Sequence, residues 1–336
     1  MTHIAICFTD SSGTYHKHAL VTVASVFDNT KSQICLHIIH DETLREQEKN
    51  LFSALCLRHN NRIIFHPVKE ISQDITKNVP AFLGKGTLYK ILIPDLIQEN
   101  KILYLDCDIV CLCDVAAIYR MDISGNYIGA VKLNKKQGLA WSKRYGLSSA
   151  FCINAGVLLM NLEKIRREIP DYAERLFSIV RDKGIPMGDQ GATNIFFDGR
   201  ADAFALLPEF CNFLLETEDH SVLPLAAYQG KMLHFAGKKP WRVFTPPALY
   251  YWKYYASLFP DENVPERMQN LEPYEYAHLF SFLLRHEKLR RWVNRLREAE
   301  QDGLASLIRA RLFARSRKRR AKAAEAVRSG LTDATP

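Results

Sequence analysis

Two carboxylates a residue apart carry the strongest chemical signal in this chain. The segment Lys101-Ile102-Leu103-Tyr104-Leu105-Asp106-Cys107-Asp108-Ile109-Val110 runs apolar, ends in Asp-x-Asp, and turns apolar again. Residues 102 to 105 are β-prone and flat in polarity, as in a strand covered on both faces of a parallel or mixed sheet. Strand alternation points Asp106 and Asp108 the same way, so both can reach one divalent cation. Ionised carboxylates in such a setting are costly unless a cation or donors compensate them. On the residues alone, a strand ending in a polar turn with solvated acids is the competing reading.

Four further segments carry polar residues beside apolar runs. Phe8-Thr9-Asp10 follows the first β-prone run, and Asn154-Ala155-Gly156 leads into Val157-Leu158-Leu159-Met160-Asn161. Asp189-Gln190 opens a helical pattern, and His234-Phe235-Ala236-Gly237-Lys238-Lys239-Pro240-Trp241 closes another β-prone run. Taken singly, each has a plain structural reading. His234 is a satisfied histidine at a strand end, Asn154 a turn former, Gly188-Asp189-Gln190 a helix N-cap with its first turn, and Lys90 a solvated helix lysine.

The elements that must position these residues alternate between short β-rich runs and longer helical stretches from Met1 to about Lys239, the pattern of an α/β layer architecture. Strands are expected at 3–8, 34–40, 62–68, 102–105, 127–131, 155–161 and 231–235. Helices are expected at 18–27, 42–57, 87–97, 162–183 and 189–197. The first half reads as a doubly wound nucleotide-binding arrangement, whose ligands lie beyond the carboxyl ends of the strands. Asp106 and Asp108 sit at such an end. The Pro- and aromatic-rich stretch 245–252 is expected to break regular structure, and 260–273 reads as a linker. No internal repeat is visible.

The composition is that of an ordinary globular chain, with 47% hydrophobic and 24% charged residues among 336. The apolar start reads as a first strand rather than a signal peptide, and no run reaches the roughly 18 apolar residues of a membrane span. The eight cysteines fall mostly in apolar segments, which suits buried reduced thiols and the cytosol. Cys107, Cys111 and Cys113 lack a second Cys/His pair at finger-like spacing, so no structural zinc is expected there. The net charge of +8 is uneven: from Arg285 to Arg328, fifteen Lys or Arg face five Asp or Glu, so this stretch carries +10 and the remainder −2. Leu289, Trp292, Val293 and Leu296 follow helical spacing with arginines between them, and Arg315 to Arg320 form a basic cluster. The expected division is therefore a catalytic domain over 1–260 and a basic amphipathic helical tail over 261–336, suited to an anionic membrane surface. Nucleic acid is not an expected partner, because no base-reading module accompanies the charge.

Taken together and in order, the segments around Asp10, Asp106/Asp108, Asn154, Asp189-Gln190 and His234 to Trp241 resemble glycosyltransferase family 8. This is a retaining, metal-dependent family that includes bacterial lipopolysaccharide galactosyl- and glucosyltransferases, and the resemblance covers roughly residues 3 to 255. It implies a GT-A type fold, a Rossmann-like mixed sheet flanked by helices. It also implies that Asp106, Asp108 and His234 bind Mn²⁺, or Mg²⁺, since two hard oxygen ligands and one imidazole fit a borderline octahedral cation such as Mn²⁺. Lys239 would pair with the diphosphate of a UDP-hexose and Gly237 would let the backbone approach it. Thr9, Asp10 and Ser11 are alternative uridine contacts, because the local pattern has an extra residue and lacks the family's Asp-Asp-Asn. Lys90 stands where the family carries Arg, keeping charge but not bidentate geometry. Asn154 would contact a sugar hydroxyl, Asp189 would hold a donor hydroxyl, and Gln190 would face the anomeric carbon. Gly191 stands where an Asp is common.

The resemblance implies transfer of a hexose from UDP-galactose or UDP-glucose, with retention, to an oligosaccharide or lipid-linked saccharide such as a lipopolysaccharide or lipooligosaccharide core. It also implies a cytoplasmic enzyme, peripheral on the inner face of a bacterial membrane. Two other classes share some of these features. A haloacid-dehalogenase-like phosphatase also places Asp-x-Asp after an apolar strand, though usually the first strand. A catalytically weak membrane-surface binding protein on the same scaffold would account for Lys90 and Gly191.

Overall fold

A computed structural model describes residues 1–77, 84–149, 151–183, 188–215, 223, 225–243, 245 and 247–262. Its centre is a mixed sheet. Strands β1 (Thr2–Phe8), β2 (Ile34–His40) and β3 (Arg62–Pro67) run parallel, and β1 also pairs in parallel with β4 (Lys101–Leu105). The short β5 (Ile109–Cys111) leaves this sheet, and β6 (Ile128–Lys132), β7 (Ile153–Asn161) and β8 (Phe204–Leu206) complete it in the order β3-β2-β1-β4-β7-β6-β8. β7 is antiparallel to both β4 and β6. A small second sheet joins β5 to β9 (Phe213–Leu214) and β10 (Met232–His234), with β10 in the middle.

Strands β1, β2 and β4 are almost wholly buried because helical layers cover both faces, as their flat apolar sequences require. One core gathers Ile4, Ile6, Leu36 and Leu103 with α1 (Tyr15–Asn29) and α2 (Glu46–Arg58). The other gathers Ala5, Ile39, Ile102 and Leu158 with the 3-10 helix Lys85–Leu92 and the helices Tyr172–Lys183 and Gly188–Phe196.

Several expected elements differ in detail. The helical pattern over 162–183 is two helices, Leu162–Glu168 and Tyr172–Lys183, because Pro170 lies between them and cannot continue the first. The pattern over 87–97 is the 3-10 helix Lys85–Leu92 followed by a short α-helix, Ile93–Leu96. Asn154 lies inside β7 rather than in a turn before it. The stretch 245–252, expected to break regular structure, instead leads into the helix Ala248–Leu258. Pro247 stands just before its first turn, where a missing N–H costs nothing, and Tyr251 and Tyr255 bury against the core. Residues from 263 onward, and with them the expected tail, lie outside the described residues. Among the described residues, no helix is long and apolar enough to cross a membrane.

Candidate active site

The Asp106-Cys107-Asp108 segment is the link between the two sheets. β4 ends at Leu105, the main-chain N–H of Asp106 still bonds Gly156 of β7 at 2.8 Å, and β5 begins at Ile109. β10 then pairs antiparallel with β5, with His234 opposite Ile109, and the Phe235 N–H reaches the Asp108 carbonyl at 3.0 Å. That register sets the His234 imidazole against the two carboxylates although it lies far from them in sequence. Its Nε2 is 3.8 Å from Asp106 Oδ2 and 3.3 Å from Asp108 Oδ1.

Three observations show that this triad fits a divalent cation. Single ligand atoms of Asp106, Asp108 and His234 lie within 4.8 Å of one another. Asp108 Oδ1 is buried without a hydrogen-bond donor, and His234 Nε2 lies 3.3 Å from it. Gly156 gives the ring its room: a Cβ there would stand 2.1 Å from His234 Cε1.

The tautomer of His234 follows from two main-chain amides that cannot flip. The Gly156 N–H donates to Asn154 Oδ1 at 2.9 Å and the Ala155 N–H to Gln190 Oε1 at 3.1 Å, so both oxygens are fixed as acceptors. Asn154 Nδ2 then donates to Gln190 Oε1 at 3.2 Å, and Asn212 Nδ2 donates to Asn154 Oδ1 at 2.8 Å. Asn212 is thereby turned with its oxygen toward His234 Nδ1, 2.8 Å away. Nδ1 carries the proton and Nε2 presents a lone pair to the carboxylate side.

Charge around the triad is balanced by two lysines. Lys90 is buried, with Nζ 3.0 Å from Asp106 Oδ1, 2.9 Å from Asp189 Oδ2 and 3.1 Å from the Ala155 carbonyl. It also lies over the Tyr104 ring, whose hydroxyl donates to Asp106 Oδ1 at 2.6 Å. The solvated-helix reading of Lys90 is therefore corrected. Burial works against its charge, but Asp106 and Asp189 outweigh that and raise its pKa. Lys239 pairs with Asp108 Oδ2 and donates to the carbonyls of Phe235 and Ala236. Burial would raise the Asp108 carboxyl, yet the Lys239 ammonium outweighs it and holds the carboxyl well below the usual range. Asp189 goes the other way: burial pushes it up to about 6, only partly offset by Lys90.

These groups line a cleft of about 560 Å³ at the carboxyl ends of β1 and β4. Thr9, Lys90, Asp106, Asp108, Asn154, Asp189, Gln190, His234 and Lys239 all face it. Asp10 and Gly237 do not line it. The Asp10 carboxylate instead accepts the N–H groups of Tyr15 and His16 at 2.6 and 3.2 Å and meets His16 Nδ1 at 2.8 Å, closing the N-terminus of α1. Ser11 and Ser12 do reach the cleft. So does Trp241, stacked on His18 at 3.8 Å between centroids and edge-on to Tyr15.

Asn212, Gly86, the Tyr104 hydroxyl and the pairing of His18 with Trp241 are site features that the sequence did not single out. Gly86 is also tightly placed, since a Cβ would stand 2.8 Å from the Thr9 nitrogen. A glycine inside the β-prone run after Asn154 is the one available sequence signal, because such glycines mark close approach by another group.

A mixed sheet with a small accessory sheet, an Asp-x-Asp at their junction and a cleft over the strand ends define a GT-A type nucleotide-sugar transferase fold. A crystal structure of the galactosyltransferase LgtC with donor and acceptor sugar analogues superposes with a TM-score of 0.63 at 20% identity, over 80% of this chain and 99% of that one. The glycosyl transferase family 8 model matches residues 3–245, and the chain belongs to that family. Among curated relatives, glycosyltransferase GlyE of Streptococcus pneumoniae is 27% identical over 50% of this chain and 40% of its own length. The lipopolysaccharide 1,3-galactosyltransferase of Salmonella typhimurium is 25% identical over 66% of this chain and 68% of its own. The matches to several streptococcal relatives span less than half of those longer proteins.

Proposed function

We propose that this chain is a retaining, metal-dependent hexosyltransferase that moves galactose or glucose from a UDP-sugar to a saccharide acceptor of the lipopolysaccharide or lipooligosaccharide core type. The observation that carries this reading is the meeting of Asp106, Asp108, His234, Lys239 and Gln190 in one cleft. Asp106, Asp108 and His234 would hold Mn²⁺ or Mg²⁺, which as a Lewis acid neutralises charge developing on the departing UDP. Lys239 lies beside Asp108, placed to shift its ammonium onto a diphosphate oxygen. Thr9, Ser11 and Ser12 line the cleft and take the uridine side, with Trp241 as an apolar wall.

On the sugar side, Asn154, Asp189 and Lys90 would bind hydroxyls. Gln190 Oε1 already accepts two hydrogen bonds, which lowers its weak nucleophilicity further. A front-face route is therefore favoured, in which the leaving phosphate oxygen takes the acceptor proton and the protein contributes positioning and electrostatic stabilisation. The names of the lipopolysaccharide transferase relatives support the choice of acceptor class.

Mn²⁺-dependent UDP release from a panel of UDP-sugars, with Asp108→Ala as control, tests the reading. Release from UDP-galactose or UDP-glucose that Asp108→Ala abolishes is expected. Hydrolysis of phosphate esters with no turnover of any UDP-sugar would overturn it.

A further inference from the structure

At the opposite end of the strands from the cleft, His3, Cys35 and His37 converge, with Glu99 beside the two histidines, and the proposed reaction uses none of them. His3, the second residue of β1, pairs in register with Cys35 of β2, and His37 projects from the same face of β2 two residues on. Glu99 comes from the turn before β4. Single ligand atoms of His3, Cys35 and His37 lie within 4.8 Å of one another.

We propose that His3, Cys35, His37 and Glu99 form a second metal site, a structural centre for Zn²⁺ separate from the Asp106/Asp108/His234 triad. Tetrahedral zinc with bonds of about 2.0 to 2.3 Å needs ligand atoms about 3.3 to 3.8 Å apart. His3 Nδ1 is 3.2 Å from His37 Nε2 and 3.4 Å from Glu99 Oε1, and His37 Nε2 is 3.9 Å from the same oxygen. The donor set of one thiolate, two imidazoles and one carboxylate is a zinc set rather than a magnesium or calcium one. It is also neutral overall with a dication, which a site this deep requires, since Cys35 and His37 are 2% and 1% exposed.

The surroundings are those of a built site. His37 Nδ1 lies 3.0 Å from His66 Nε2 of β3, which fixes the ring and leaves Nε2 turned toward His3 and Glu99. His3 and Glu99 remain 20% and 28% exposed, giving an ion a way in. Bound metal would fasten β1, β2 and the turn into β4, three segments far apart in sequence, into one end of the sheet.

Cobalt substitution separates the two sites, because a thiolate ligand gives Co²⁺ an intense charge-transfer absorption that carboxylates and imidazole alone do not. The full chain, stripped with chelator, is titrated with Co²⁺ and followed by absorption. One equivalent giving the thiolate band is expected, with the band retained in Asp108→Ala and lost in Cys35→Ser. His3→Gln, at a partly exposed strand start where folding is least at risk, should weaken Co²⁺ binding at least tenfold. On an Asp108→Ala background, where the triad is disabled, Zn²⁺ should raise Tm when Cys35 is present and not in Cys35→Ser. Absence of the band, or its persistence in Cys35→Ser, would overturn the site. A triad that holds no metal would instead leave the band intact, so the two proposals fail separately.

Discussion

Gly156 gives His234 its space, and the amide relay from Gly156 and Ala155 through Asn154 and Asn212 gives it its tautomer. Gly156→Ala places a methyl 2.1 Å from the ring, and neither β7 nor the bonded imidazole can readily yield. The expected result is a folded protein, by circular dichroism, whose Mn²⁺ requirement rises and whose UDP-sugar turnover falls by about 10- to 100-fold or more. Asn212→Ala should raise the Mn²⁺ requirement too, with a smaller effect on turnover at saturating metal. An unchanged Mn²⁺ response in both variants would refute the relay. Asp189 supplies a pH-dependent counterpart. Its folded pKa of about 6 lies above the ordinary 3.8, so the folded state holds the extra proton between those values and loses stability as pH rises through them. In chelator, the Tm of Asp189→Asn relative to wild type should therefore climb from pH 4 to pH 7, by an amount worth up to about 3 kcal/mol at about 1.4 kcal/mol per unit. A flat difference would show that Lys90 compensates the charge fully. The acids and His234 were legible as chemistry-bearing types beside apolar runs. Asn212 was not, because it reaches His234 by a chain crossing that no local pattern records, and Lys90 in isolation left a solvated helix lysine open beside a site role, because its two acidic partners come from other elements.

At the scale of elements, runs with one clear period were read well, and β2 was expected over the residues it occupies, 34–40. The strands β5, β8 and β9, of two or three residues, carry too few positions to show a period, and β5 and β9 flank the equally short β10, which the longer β-prone run 231–235 does mark and which delivers His234. The helix Ala248–Leu258 was missed for a different reason: the Pro-Pro pair just before it and its own aromatics look like a breaker until the core that covers the aromatics is known. That helix braces α1 and the cleft wall. Tyr251 is 2% exposed, its hydroxyl lies 2.6 Å from His18 Nδ1, and its ring packs near Trp241. Tyr251→Ala should cost about 3 to 5 kcal/mol through the cavity it leaves. Tyr251→Phe removes only the hydroxyl contact and should cost about 1 kcal/mol. Denaturant melts give both values. If Trp241 walls the donor site, the alanine variant should also raise KM for the UDP-sugar while Tyr251→Phe leaves it nearly unchanged.

For the whole molecule, the arrangement of charge is the property most open to test. The chain outside residues 285–328 is near neutral at −2, while that stretch alone carries +10. A catalytic unit that works on a lipid-linked acceptor gains from being held at the surface where the acceptor lies, and a basic stretch with interleaved apolar residues supplies about 1 kcal/mol per Lys or Arg near anionic lipid. Because the attraction is electrostatic, it must weaken with salt, over a Debye length of about 10 Å at 0.1 M. The full chain is expected to sediment with anionic vesicles at low salt, to release as salt is raised, and to ignore neutral vesicles. A truncation before Arg285 should lose vesicle binding yet keep the rate of UDP-sugar hydrolysis in solution, since every residue of the triad and cleft precedes it. Equal sedimentation of the two forms would exclude the tail as the anchor. A truncated form that binds vesicles normally but loses hydrolysis would assign the tail to the catalytic unit rather than to the membrane.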